Sequence, residues 1–180
     1  MTETKPQPPV EAFKAYGLKT PAWSLAGQSM WARLVDCYDG DTMTIVVSLP
    51  TGYYKFASRV LGIDTAEMKS KVVENKLSAQ KARNRMLQLC GVDGIDINRL
   101  YTRKEVQTIL ADKVYMIWVN CSDFEKFGRL LIEPFSDPVT AANPAATFGA
   151  VLVSEKLAYP YYGETKLTET QQAETLGGNS

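Results

Sequence analysis

Histidine is absent from this 180-residue chain. Its absence removes the commonest general base, any serine–histidine–aspartate constellation, and every zinc site that is not cysteine-rich. Cysteine is scarce: Cys37, Cys90 and Cys121 make an odd set of three, which reads as reduced thiols and not as a disulfide framework. Net charge is lacking too. Twenty Lys+Arg balance twenty Asp+Glu, so no global basic field supports tight, sequence-blind duplex binding, although one local positive cleft for a phosphate chain is compatible with the balance. Long apolar runs are missing, and stretches such as 114–119 are far too short to span a bilayer. The polar, Pro-rich start at 1–9 has no apolar stretch behind a basic one, as a secretory signal requires. The expectation is a soluble, intracellular protein with no membrane contact. Its chemistry must run on carboxylates, Arg, Lys, Tyr, Ser, Thr or a hard metal ion.

What is present suits one globular domain, since 180 residues can bury a proper core and a 45% hydrophobic share is ordinary. Residues 1–28, with Pro6, Pro8, Pro9 and Pro21, read as an extended arm with a short helix at most over 10–16, and as a candidate contact segment for a protein partner. Strand-like sequence follows over 31–37. After the turn pair Asp39-Gly40, the residues Met43, Ile45, Val47 and Leu49 alternate in the period of two that marks a half-buried strand. A turn at Pro50-Thr51-Gly52 leads to a third strand over 53–63.

The pattern then becomes helical from Val73 to Cys90, with Ala79, Ala82 and Met86 on one face and Lys76, Lys81, Arg83 and Arg85 on the surface. Thr102 and Glu105 form a capping box for a short helix ending near Leu110. Two further strands are expected over 114–121 and 128–133, then a Pro- and Ala-rich loop over 134–146 and a last helix over 148–157. The polar segment 167–180 reads as a flexible tail. Three strands, a helix, a short helix, two strands and a helix predict a mainly β, α+β fold. It is a five-stranded Greek-key barrel of the OB type with about three helices, the domain covering 29–166.

Individually, the polar motifs look bland. Asp39-Gly40-Asp41-Thr42 is a hairpin turn, Arg59 a surface arginine on a strand, Asp64-Thr65-Ala66-Glu67 a strand end, and Lys126-Phe127-Gly128-Arg129 a loop. Taken together they offer more. Asp41 at the start of one strand and Asp64 at the end of its neighbour can meet at one barrel rim and supply the oxygen ligands a hard cation such as calcium needs. Two arginines can fork onto a phosphate and neutralise charge in a phosphoryl transition state. Glu67 is then free to take a proton from water, which completes a set for metal-assisted phosphodiester hydrolysis without histidine.

In order and spacing, Asp39-Gly40-Asp41-Thr42, Arg59, Asp64-Thr65-x-Glu67 and Lys126-Phe127-Gly128-Arg129 together resemble the staphylococcal nuclease (thermonuclease) family. The stretch Ala158-Tyr159-Pro160-Tyr161-Tyr162-Gly163 is similar to that family's closing aromatic segment. The resemblance covers roughly 30–166. It implies a calcium-dependent nuclease that hydrolyses DNA, RNA or both, with Asp41, Asp64 and the carbonyl of Thr65 holding Ca2+. It further implies that Glu67 positions or deprotonates water, that Arg59 and Arg129 grip the scissile phosphate, and that Tyr161 or Tyr162 contacts substrate. The sequence departs from the family at Ala66, where proline is usual, at Glu125 and Phe127, and in a longer stretch over 92–112. Arg99, Arg103 and Lys104 in that stretch read as a solvated helix face or extra phosphate contacts. A binding or interaction module on the same barrel is the alternative reading.

Overall fold

The computed structural model of the protein describes residues 9–176. A single helical turn, α1 (Val10–Phe13), precedes β1 (Ser29–Cys37), β2 (Thr42–Leu49), β3 (Gly52–Val60) and the short β4 (Ile63–Asp64). Next come α2 (Val73–Leu89), α3 (Arg103–Asp112), β5 (Tyr115–Phe124) and β6 (Leu130–Phe135). Two 3₁₀ turns, α4 (Phe148–Ser154), β7 (Tyr159–Pro160) and α5 (Glu169–Leu176) complete the chain. The strands close into a barrel in the order β1-β2-β3-β6-β5, with β5 returning to β1. All its pairings are antiparallel except β3 with β6. This is the mainly β, OB-like Greek-key barrel that the strand order predicts.

Alternation explains the barrel's interior. Ala32, Leu34, Met43, Ile45, Val47, Ile117, Val119, Leu130 and Ile132 point inward and are buried, at every second position of their strands. The expected loop over 134–146 begins two residues too early, because Pro134 and Phe135 still pair with Val119 and Trp118 at the end of β6. The three cysteines are free and buried. Among the described residues, no helix is long and apolar enough to cross a membrane.

Three expectations need correction. There are five α-helices among the described residues where about three were expected, since α1 and α5 add to the count. The expected flexible tail is in large part α5, which buries Gln172 and Leu176; only 177–180 lie outside the described residues, as do 1–8 of the arm. Asn75 Nδ2 donates to the Glu169 carbonyl at 2.8 Å and fastens α5 to α2. Arg83 is not on the surface. It is buried and donates to the Tyr101 carbonyl at 2.6 Å, because the segment after α2 folds back over that helix. Asn84 holds this segment by donating to the carbonyls of Asp96, Ile97 and Arg99.

Candidate active site

The site is built at one barrel rim. The Asp39-Gly40 turn brings Asp41 to the start of β2, where its carbonyl accepts from Val60 N–H at 2.8 Å and ties the turn to the end of β3. Gly40 is required there by space: a Cβ would lie 2.8 Å from Ala82 Cβ and 2.9 Å from Thr65 Cγ2. Thr42 pairs with Arg59 across β2 and β3. Asp64 sits on β4, held in register by Tyr159 on β7. Arg129 follows the β5–β6 turn, which Gly128 closes at φ +80° with its N–H on the Glu125 carbonyl at 2.8 Å; only glycine adopts that backbone without strain.

These segments converge on a cavity of about 400 Å³ whose lining includes Asp41, Arg59, Asp64, Thr65, Glu67 and Arg129. The six residues proposed from the sequence for metal and catalytic roles therefore face one space. Arg59 is the hub. One guanidinium nitrogen, Nη2, lies 2.7 Å from Asp64 Oδ1 and 3.1 Å from Asp41 Oδ2, and also donates to the Ile63 carbonyl at 3.2 Å. The approach to Asp41 is an ion pair without hydrogen-bond alignment, so the buried Oδ2 is left without a donor. Arg129 donates from Nη1 to Thr42 Oγ1 at 3.3 Å and from Nε to the Glu125 carboxylate. Thr42 Oγ1 in turn donates to Asp41 Oδ1 at 3.0 Å.

The two aspartates are electrostatically unlike. Burial, followed by the negative charge of Asp39, pushes the Asp41 carboxyl well above the ordinary carboxylate range, and the Arg59 cation offsets only part of this. Burial pushes Asp64 upward as well, but donors from Tyr159, Arg59 and Lys166 outweigh it and hold Asp64 below its usual value. Arg59 is raised: burial opposes its charge, and the carboxylates of Asp41 and Asp64 overcome that cost.

Two of these groups have no assigned role in the sequence reading. Tyr159 donates its hydroxyl to Asp64 Oδ2 at 2.5 Å. Lys166 donates to Asp64 Oδ1 at 3.0 Å and lies 3.5 Å from Glu67 Oε1. The alternation Tyr159-Pro160-Tyr161 hints that its two tyrosines share a face, but no local signal marks Lys166, 102 positions from its partner. Tyr161 is brought to the site, its ring 5.7 Å from the Arg59 guanidinium and 6.0 Å from the Lys166 ammonium. Tyr162 is not: it is 79% exposed, with its ring edge over Gly62. Arg99 and Arg103 pair with Glu105 and Asp36 and do not line the cavity, although the Arg103 guanidinium lies 5.5 Å from the ring of Tyr38, which does.

The loop carrying Glu67 lacks proline but is otherwise anchored. Ala66 is buried in a small apolar cluster with Ala79, Tyr159 and Leu176, so α5 helps hold the position from which the Glu67 side chain, 56% exposed, reaches into the cavity. Among the described residues, no group of three or more Asp, Glu or Cys side chains is placed to hold a metal ion. A cation at this rim would depend on two carboxylates, a backbone carbonyl and water. The donor set fits calcium in kind, being all hard oxygen. The buried Asp41 Oδ2 without a donor is an acceptor such a cation would satisfy. Neither a scan against protein-family models nor a search of curated proteins finds a match to the chain.

Proposed function

We propose that the protein is a calcium-dependent phosphodiesterase that hydrolyses DNA, RNA or both, similar in its site to staphylococcal nuclease. The observation that carries this reading is the convergence of two arginines, two buried aspartates and a half-exposed glutamate on one rim cavity. Asp41, Asp64 and the Thr65 carbonyl would hold Ca2+. When bound, the cation supplies positive charge beside the scissile phosphate.

The remaining work falls to side chains of the chain itself. Arg59 and Arg129 bind non-bridging phosphate oxygens, and their charge stabilises the additional negative charge of the transition state. Tyr159 and Lys166 hold Asp64 in its ionised form. Water attacks phosphorus and its proton passes to the Glu67 carboxylate; the opposite P–O ester bond breaks, and the leaving oxygen is stabilised by Arg129 until it takes a proton.

A second reading, a non-catalytic nucleic-acid-binding module, has one observation in its favour. Arg59 Nη2 already bridges Asp41 and Asp64, and so supplies internally the charge a metal would bring. A quenched-oligonucleotide assay with calcium, magnesium and chelator, run beside Asp41→Ala, separates the two. The nuclease reading predicts cleavage with calcium that chelator and Asp41→Ala both abolish. Binding without cleavage at any calcium concentration supports the module.

A further inference from the structure

Asp64 is covered by three donors. Its Oδ1 accepts from Arg59 Nη2 at 2.7 Å and from Lys166 Nζ at 3.0 Å, and its Oδ2 accepts from Tyr159 at 2.5 Å. Asp41, the other carboxylate of the rim, keeps its buried Oδ2 without a donor. The two aspartates are therefore unequal partners for a divalent cation. Asp41 offers an open acceptor, whereas Asp64 already carries two positive charges and a hydroxyl. Coordination by both aspartates needs one of these donors to withdraw, because like charges crowded on one carboxylate oxygen repel strongly at short range.

The surroundings of the three donors single out the one that can leave. Arg59 is fixed by the Ile63 carbonyl at 3.2 Å and by Asp41 at 3.1 Å. Tyr159 is buried, and its strand pairs with β4. The Lys166 side chain is 44% exposed, and among the described residues its only other ion pair is with Glu67 Oε1, at 3.5 Å. A flexible four-carbon stem lets its ammonium group turn to solvent, which a guanidinium locked between acceptors cannot do. The backbone beneath stays in place. Leu167 packs on the cluster of Ala66 and Leu176, and its carbonyl accepts from Gln172 Nε2 at 2.9 Å. Movement is thus confined to one side chain, and Glu67 is paired with that same ammonium.

We propose that Lys166 is an internal counter-ion which a divalent cation displaces from Asp64, and that the exchange frees Glu67 to act as a base. The inference rests on the nuclease reading for the cation and for the role of Glu67. It adds that one ammonium group sets how much metal the site needs and keeps the base paired until metal enters.

Two measurements on the full chain test it, neither of them a rate of cleavage. Calcium binding is followed by calorimetry in the wild type, Lys166→Met and Lys71→Met, the last removing an equal charge from an exposed position outside the cavity. Acetylation of Lys166 by a water-soluble N-hydroxysuccinimide ester is followed by peptide mass spectrometry in the wild type, with calcium or with chelator. The expected result is calcium binding about tenfold tighter in Lys166→Met, within the range usual for coupled equilibria, and little changed in Lys71→Met. Lys166 should acetylate several-fold faster in calcium, while Lys71 keeps its rate. The acetylation measurement uses the wild type, so it stays decisive if Lys166→Met fails to fold. Equally tight calcium binding in the wild type and folded Lys166→Met overturns the exchange and leaves the calcium reading in place. So does calcium binding that leaves the acetylation rate of Lys166 unaltered. Calcium binding in neither the wild type nor Lys166→Met overturns both.

Discussion

At the scale of single residues, the central fact is that Arg59 serves two carboxylates of opposite character. Asp64 has three donors and Asp41 has an oxygen with none. Asp41 has a raised pKa in the fold, so it favours folding below the ordinary carboxylate pKa, and that contribution is lost as pH rises through the raised value. Asp64 is depressed, so its contribution is present above the ordinary value and lost as pH falls through the folded one. Asp41→Asn is therefore expected to raise the Tm in chelator at pH 8, with the gain shrinking toward pH 4; a lower Tm at pH 8 contradicts this. Such a gain would come with lost activity, the usual exchange at a functional site. Tyr159→Phe should leave Asp64 Oδ2 without its donor. The expected cost is about 1.5–3 kcal/mol, as for hydrogen bonds to charged groups, and it can be read from denaturant midpoints at pH 7. A midpoint equal to wild type would show that water replaces the hydroxyl without loss.

At the scale of elements, α5 matters most. It buries Leu176 against Ala66, Ala79 and Tyr159, and Ala66 is next to Glu67. Leu176→Ala should cost about 2–3 kcal/mol, at the low end for a buried leucine because the cluster is small. It should also reduce cleavage more than its stability cost explains, because the Glu67 loop loses its support. Denaturation and cleavage assays at a temperature where the variant is fully folded separate the two effects. This helix was not legible in the sequence: its mean character is polar, and it becomes ordered through contacts with α2 and the 66–68 loop that lie about 100 positions away.

The elements that were legible carry local signals. The period of two in β2 and the turn pair Asp39-Gly40 are of this kind. So is the capping box of α3, where Thr102 Oγ1 accepts from Glu105 N–H at 3.2 Å and the Glu105 carboxylate accepts from Thr102 N–H at 2.7 Å. Arg83 shows the opposite case, since its position on α2 says nothing of the segment that later covers it.

At the scale of the whole molecule, the barrel gathers charges of both signs at one place: Arg59, Arg129 and Lys166 share one rim cavity with Asp39, Asp41, Asp64 and Glu67. The order of the site motifs was legible because each sits at a strand end, and a Greek-key barrel brings those ends together. Tyr159 and Lys166 were hidden because they depend on where the chain returns after α4.

The measurement that tests the account most directly is calcium-dependent cleavage of a single-stranded oligonucleotide by the wild type, Glu67→Gln and Arg129→Ala, each first shown to be folded by near-UV circular dichroism. Neither side chain is buried in the core, so both variants should fold. The account predicts wild-type cleavage, and a loss of two or more orders of magnitude in each variant, consistent with removing a general base or a transition-state cation. Wild-type rates in both folded variants would contradict it.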